Sequence, residues 1–169
     1  MRKIVILASV ILIIVIGSGF FLERSNKPTV GNLKTTPTIS DMKLKNFKSS
    51  TMDILLQIPS EYSINEKSSS VLIFSNEGSI FLNRTATDFS ILDDYIKDLD
   101  EHNKTNILSD EMTLINGSQV RIRVLKYSSG EKQKVYIFYY NGWIFSLYTN
   151  LESLYSDLDQ IAQSFRYTP

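Results

Sequence analysis

The chain has 169 residues, with 18 basic against 18 acidic side chains, 43% hydrophobic residues and no cysteine. That length suits one domain with a real core. The charge balance excludes strong electrostatic attraction to nucleic acid, and the lack of cysteine excludes disulfides, thiolate metal sites, a cysteine nucleophile and a lipid-modified cysteine anchor.

Residues Ile4 to Leu22 carry no charge. As a helix they would span ~28 Å, close to the hydrocarbon core of a bilayer. Arg2 and Lys3 precede the run, and Glu23, Arg24 and Lys27 follow it. Residues 1–22 are therefore expected to be a single-pass signal anchor that inserts in the lipid bilayer. The alternative is a signal peptide cut after Gly17-Ser18-Gly19, which would release a secreted domain. Such a cut leaves Phe20-Phe21-Leu22 as an apolar new terminus, which favours the anchor. A type IV pilin start is similarly hydrophobic, but its cleavage motif and glutamate are missing. Basic residues are nearly balanced across the segment; a short tail with Arg2 and Lys3 inside places the following domain outside the cytoplasm.

Residues 23–45 read as a flexible linker. They are polar, hold Pro28 and Pro37 and show no apolar helical face. The 147 residues after Leu22 carry every acidic side chain, so this part has a formal charge of about −2.

The domain is expected over residues 46–169. Met52 to Ile58 reads as a strand stopped by Pro59, and Glu61 to Ile64 as a short extended piece. Val71 to Phe74 and Ser79 to Thr85 form a hairpin around Asn76-Glu77-Gly78. A helix follows, with Asp88 or Ser90 as cap. Ile91, Leu92, Tyr95, Ile96 and Leu99 share one face of it, and Asp93, Asp94, Lys97, Asp98 and Glu101 the other.

Next, Glu111 to Ile115 and Gln119 to Tyr127 flank Asn116-Gly117, a type I′ turn signal. Val120, Ile122 and Val124 alternate with Arg121 and Arg123, so one face is buried and the other wet. Lys134 to Tyr140 and Trp143 to Thr149 flank Asn141-Gly142 in the same way. Leu151, Leu154, Tyr155, Leu158, Ile161, Ala162 and Phe165 give a closing helix capped near Asn150. The expected class is α+β: an antiparallel sheet with two helices packed against it.

Several stretches resemble the PsbP-like family, named for an extrinsic subunit of photosystem II and sharing a fold with Mog-type Ran-binding proteins. They are Leu56-Gln-Ile-Pro-Ser-Glu-Tyr62, Phe89-Ser-Ile-Leu-Asp-Asp-Tyr-Ile96, Leu114-Ile-Asn-Gly-Ser-Gln-Val120, Tyr136 to Tyr148 and Ile161-Ala-Gln-Ser-Phe165. The resemblance covers about residues 47–167 and rests on fold signatures. It implies the PsbP/Mog-like fold and a binding or assembly role; no photosystem function is carried over with it.

No catalytic, cofactor-binding or metal-ligating set emerges. His102, the one histidine, falls near the end of the first helix, where a solvated residue favours the helix C-terminus. Asp93, Asp94, Asp98, Asp100 and Glu101 point in different directions from a helix, unlike a calcium loop. The glycines lack a following lysine and helix, so they are turn residues rather than a phosphate loop. Ser68–Ser70 and Ser128-Ser129 are loop material without a nucleophile elbow. Asn83, Asn103 and Asn116 begin short glycosylation patterns that matter only in a eukaryotic secretory route.

The aromatic strands are the remaining signal. Tyr139, Tyr140 and Trp143 cluster at a tight turn, and with Arg121 and Arg123 they are the candidate docking surface for an unidentified protein partner. Sequence therefore suggests a membrane-anchored extracytoplasmic binding or assembly module without catalytic activity. Its alternatives are a carrier of a small apolar ligand in the sheet–helix cleft and a hydrolytic enzyme with an unrecognised site.

Overall fold

The computed structural model describes residues 43–103 and 105–169. The expected membrane segment Ile4–Leu22, and the linker as far as residue 42, lie outside the described residues. Among the described residues no helix is long and apolar enough to cross a membrane. The order is β1 (Leu44–Lys48), β2 (Ile54–Pro59), β3 (Ser63–Lys67), β4 (Ser70–Ser75), β5 (Gly78–Ala86), α1 (Leu92–His102), β6 (Asn106–Ile115), β7 (Ser118–Lys126), β8 (Lys132–Tyr140), β9 (Trp143–Thr149), a 3₁₀ turn (Glu152–Leu154), α2 (Tyr155–Ser164) and β10 (Arg166–Tyr167).

The class is α+β, with all strand pairs antiparallel. The strands make two sheets where the sequence suggested one. The large sheet runs β3-β4-β5-β9-β8-β7-β6, and the small one β1-β2-β10. β2 turns away from β3 and pairs with β1 and the C-terminal β10. Strand β1 takes Leu44 and Lys45 from the span read as linker. Its exposed–intermediate alternation explains why a polar stretch forms a strand there.

Both Asn-Gly turns follow their residue chemistry. Asn116 and Gly117 have φ of 51° and 83°, and Asn141 and Gly142 have 47° and 80°. A two-residue hairpin loop needs positive φ at both central residues, which these side chains tolerate. Asn116 does more: its Nδ2 donates to the carbonyl oxygens of Gln163 and Phe165, at 3.2 and 2.8 Å. The β6–β7 turn thereby satisfies acceptors at the end of α2.

The helices start differently from expectation. Neither Asp88 nor Ser90 caps α1; its N-cap is Ile91, without a side-chain cap bond. Asn150 does not cap α2, because its amide donates to Glu131 and accepts from Gln133, joining it to the start of β8. The 3₁₀ turn carries the chain into α2 instead.

The large sheet has a helix on each face. On one face, Leu158, Ile161 and Ala162 of α2 and Phe165 join Ile54, Leu56 and Ile58 of β2 over Phe138, Phe145, Ile80 and Leu82. On the other, Leu92 and Ile96 of α1 cover Val135, Ile137 and Ile144. Strand β8 serves both cores because its side chains alternate, Val135 and Ile137 one way, Tyr136 and Phe138 the other.

Candidate interaction surface

The strand registers define a row of residues across the α1-side face. Asn65, Leu72, Phe81, Tyr148, Val135, Arg123 and Asp110 lie opposite one another in successive strands. One end of this row lies beneath α1. The other end, on β3, β4 and β5, has no helix over it among the described residues.

Under α1 the contacts are ionic. Arg123 Nη1 and Nη2 donate to the two Asp100 carboxylate oxygens at 2.6 and 2.8 Å, and Nη2 also donates to Asp110 at 2.9 Å. Arg121 grips Asp110 through Nε at 2.5 Å and Nη2 at 2.9 Å, with Asp93 3.9 Å away. Burial pushes the Asp110 carboxyl up, but hydrogen bonds from Arg121 and Arg123 outweigh it and hold its pKa below the ordinary range. The Asp100 hydrogen bond likewise holds the Arg123 guanidinium in its charged form. An open groove of about 530 Å³ lies here, lined by Asp93, Lys97, Asp100, Asp110, Arg121 and Arg123 among others. Glu101 lines it as well, and both arginines are already paired with Asp100 and Asp110, so they offer little to a free anion. Among the described residues no group of three or more His, Asp and Glu side chains is gathered for a metal.

The five candidate docking residues are not on one surface. Tyr139 packs with the α1 core, whereas Tyr140 and Trp143 pack with the α2 core on the opposite face. Tyr140 stacks 5.9 Å from Phe165, and Trp143 receives the Arg84 guanidinium 4.5 Å from its ring. Arg123 is 2% exposed and is the bridge to α1. Arg121 shares its groove. The partition follows from two-residue alternation: Tyr139 and Tyr140 are neighbours in sequence and so must point apart.

Among the described residues the exposed aromatics lie elsewhere. Phe74 and Phe81 keep 38% and 37% of their surface, and Phe81 stacks on Tyr148 at 5.3 Å. Asn83 donates to the Tyr148 hydroxyl at 3.3 Å. A shallow groove of about 190 Å³ runs beside them, lined by Asn65, Lys67, Leu72, Phe81 and Asn83 among others. The alternation of Leu72 and Phe74 with Val71 and Ile73 was visible in sequence. What marked these residues as open was the place where α1 stops, which sequence does not give.

His102 stays apart from both surfaces. Its Nδ1 stands 2.8 Å from the Asp98 carbonyl oxygen in its own helix.

No family model and no curated protein sequence matches the chain. The fold is nevertheless similar to that of solved proteins. The cyanobacterial PsbP (CyanoP) from Synechocystis sp. PCC 6803 superimposes with a TM-score of 0.54 at 11% identity, over 81% of this chain and 99% of that one. A Pseudomonas aeruginosa protein of unknown function gives a TM-score of 0.46 at 15% identity, over 75% of this chain and 98% of that one. The first likeness shows that the described domain has a PsbP-like fold.

Proposed function

We propose that the chain is a membrane-anchored binding or assembly module without catalytic activity, presented outside the cytoplasm, and that it docks a protein partner on the uncovered β3-β4-β5 part of its large sheet. The observation that carries this reading is the half-exposed Phe74 and Phe81 beside Leu72 and Tyr148, where a sheet face lacks a helix. Aromatic side chains at the centre of such a face are the usual anchors of a protein interface. Lys67, Asn65 and Asn83 provide a polar border. The anchor and the outside location rest on Ile4–Leu22 and its flanking charges.

Two alternatives receive less support. A carrier needs space between sheet and helix, but Phe138, Phe145, Leu158, Ile161 and Phe165 are fully buried there and pack against one another. A hydrolytic enzyme needs a nucleophile beside a base, and His102 bonds within its own helix instead.

The test is a photocrosslinking amino acid at position 81 in the full chain, in its native membrane, with position 128 as control. A discrete protein adduct is expected at 81 alone, competed away by excess unlabelled chain and not by excess Phe81→Ser chain. The same adduct pattern at both positions, or none at either, would sink the reading.

A further inference from the structure

The other edge of the large sheet is β6. Among the described residues no strand pairs with its outer side. It is ten residues long, and Ile107, Leu108, Met112 and Leu114 are exposed on it, Leu114 at 67%. Free edges present unpaired N–H and C=O groups, and proteins blunt them with short strands, lysine, proline or bulges. The opposite edge, β3, has five residues and ends at Lys67. Strand β6 contains no lysine, arginine or proline. Its register with β7 shifts between Ile107 and Ser109, then runs regularly from Ser109 to Ile115. The two-residue loop makes Ile115 and Ser118 the closing hydrogen-bonded pair, so Asp110, Met112 and Leu114 turn their backbone groups outward.

We propose that this edge is covered by β6 of a second copy of the chain, antiparallel, about a two-fold axis at Thr113. Self-complementary two-fold contacts are the common way for identical chains to pair. The charges and the length of the strand select the register, since an axis at Leu114 would set Met112 against Asn116 of the turn. An axis at Asp110 or Glu111 sets each carboxylate against its own copy, which is unfavourable. An axis at Met112 sets Leu114 against Asp110. An axis at Thr113 places Met112 opposite Leu114 twice, Thr113 opposite Thr113 and Glu111 opposite Ile115, with no like charges facing. Asp110 keeps its bonds to Arg121 and Arg123. The paired stretch runs only from Glu111 to Ile115, so the contact is expected to bury less than the roughly 1,200 Å² of an ordinary stable interface. Pairing therefore depends on the local concentration that a shared membrane provides, and in this respect it rests on the anchor proposed above. It uses the edge remote from Phe81, so the two surfaces are tested separately.

The chain has no cysteine, so a single introduced thiol reports directly on the axis. Full chain carrying Thr113→Cys, Met112→Cys or Ser128→Cys is oxidised mildly in the membrane. Thr113→Cys is expected to give a disulfide homodimer several-fold above both others, because non-hydrogen-bonded pairs bring Cα atoms to about 4.5 Å, within disulfide reach. Adding Leu114→Lys should reduce that dimer several-fold. Equal dimer from Ser128→Cys, a dimer unaffected by Leu114→Lys, or a mixed disulfide with another protein at position 113 would each overturn the proposal. Monomer in the membrane pellet also overturns it, whereas chain found only in the soluble fraction overturns the anchor.

Discussion

Arg123 of β7 and Asp100 of α1 are joined by two parallel hydrogen bonds, at 2.6 and 2.8 Å, although 23 residues separate them in the chain. This pair fastens α1 to β7, on the side of the covered part remote from the open β3-β4-β5 strands. The Arg123 side chain is 3% exposed and Asp100 is 40% exposed, so the bond is asymmetric: the cation is committed and the anion partly solvated. Arg123→Ala should cost about 2–3 kcal/mol, because charged hydrogen bonds are lost and Asp110 loses a partner. Arg121→Ala, at a 25% exposed side chain, should cost about 1 kcal/mol or less. Urea unfolding followed by the fluorescence of Trp143, the only tryptophan, checks both. Equal losses from the two variants would contradict the assignment.

Asp110 predicts an acid-dependent loss of stability. Its folded pKa lies below the ordinary 3.8, with burial opposing and the two arginines winning. A carboxylate depressed in the folded state contributes fully above its unfolded pKa, and the contribution fades as pH falls through the folded value. Glu66 acts in the same sense: burial again opposes, and hydrogen bonds from Ser49, Thr51 and Ser50 prevail. Asp110→Asn should therefore lower the urea midpoint near neutrality and flatten its dependence on pH below 3.8, leaving the slope due to Glu66. A pH profile parallel to that of the wild type would refute the role of Asp110.

The hairpins were legible because Asn-Gly turns and two-residue alternation are local rules. Strands β7, β8 and β9 follow from them almost to the residue. The first half of β6 was not legible: Asn106 to Asp110 is exposed on an edge, so burial imposes no alternation there. Likewise β10 is two residues of C-terminal chain whose strand character comes only from pairing with Leu55 and Ile54. The partner of Arg123 was hidden for the same reason. Alternation placed Arg123 opposite the Val120 face, but the helix that buries it arrives from elsewhere in the chain. The aromatic cluster at Asn141-Gly142 shows the converse case, since proximity in sequence suggested one patch where alternation imposes two faces.

Gly78 predicts a local strain effect. Its φ is +146°, and a Cβ there would lie 2.2 Å from Leu151 Cδ1 and 3.2 Å from Leu154 Cδ1. Leu151 is 43% exposed and can move aside, but Leu154 is buried in the core. Gly78→Ala should cost about 1–3 kcal/mol from backbone strain even where Leu151 yields. A Leu151→Ala background relieves the nearer clash. If that background restores full stability to Gly78→Ala, the clash and not the backbone is the cause, and the strain account fails.

Phe165 predicts how the small sheet is held. Its ring stacks 4.2 Å from Phe138 and meets Phe145 edge-on at 5.4 Å, and no part of the residue is exposed. Its carbonyl oxygen accepts from Asn116, and the next two residues form β10 beside β2. The residue thus links α2, the β6–β7 turn and the small sheet. Phe165→Ala should cost about 3–5 kcal/mol through the cavity left between close-packed rings. Phe165→Leu keeps more volume and should cost clearly less. Because β10 follows directly, the cavity variant should also expose β1 and β2 to proteolysis before the large sheet unfolds. Limited proteolysis with mass spectrometry reads this order. Cleavage within β7 or β8 first would show that the small sheet does not depend on Phe165.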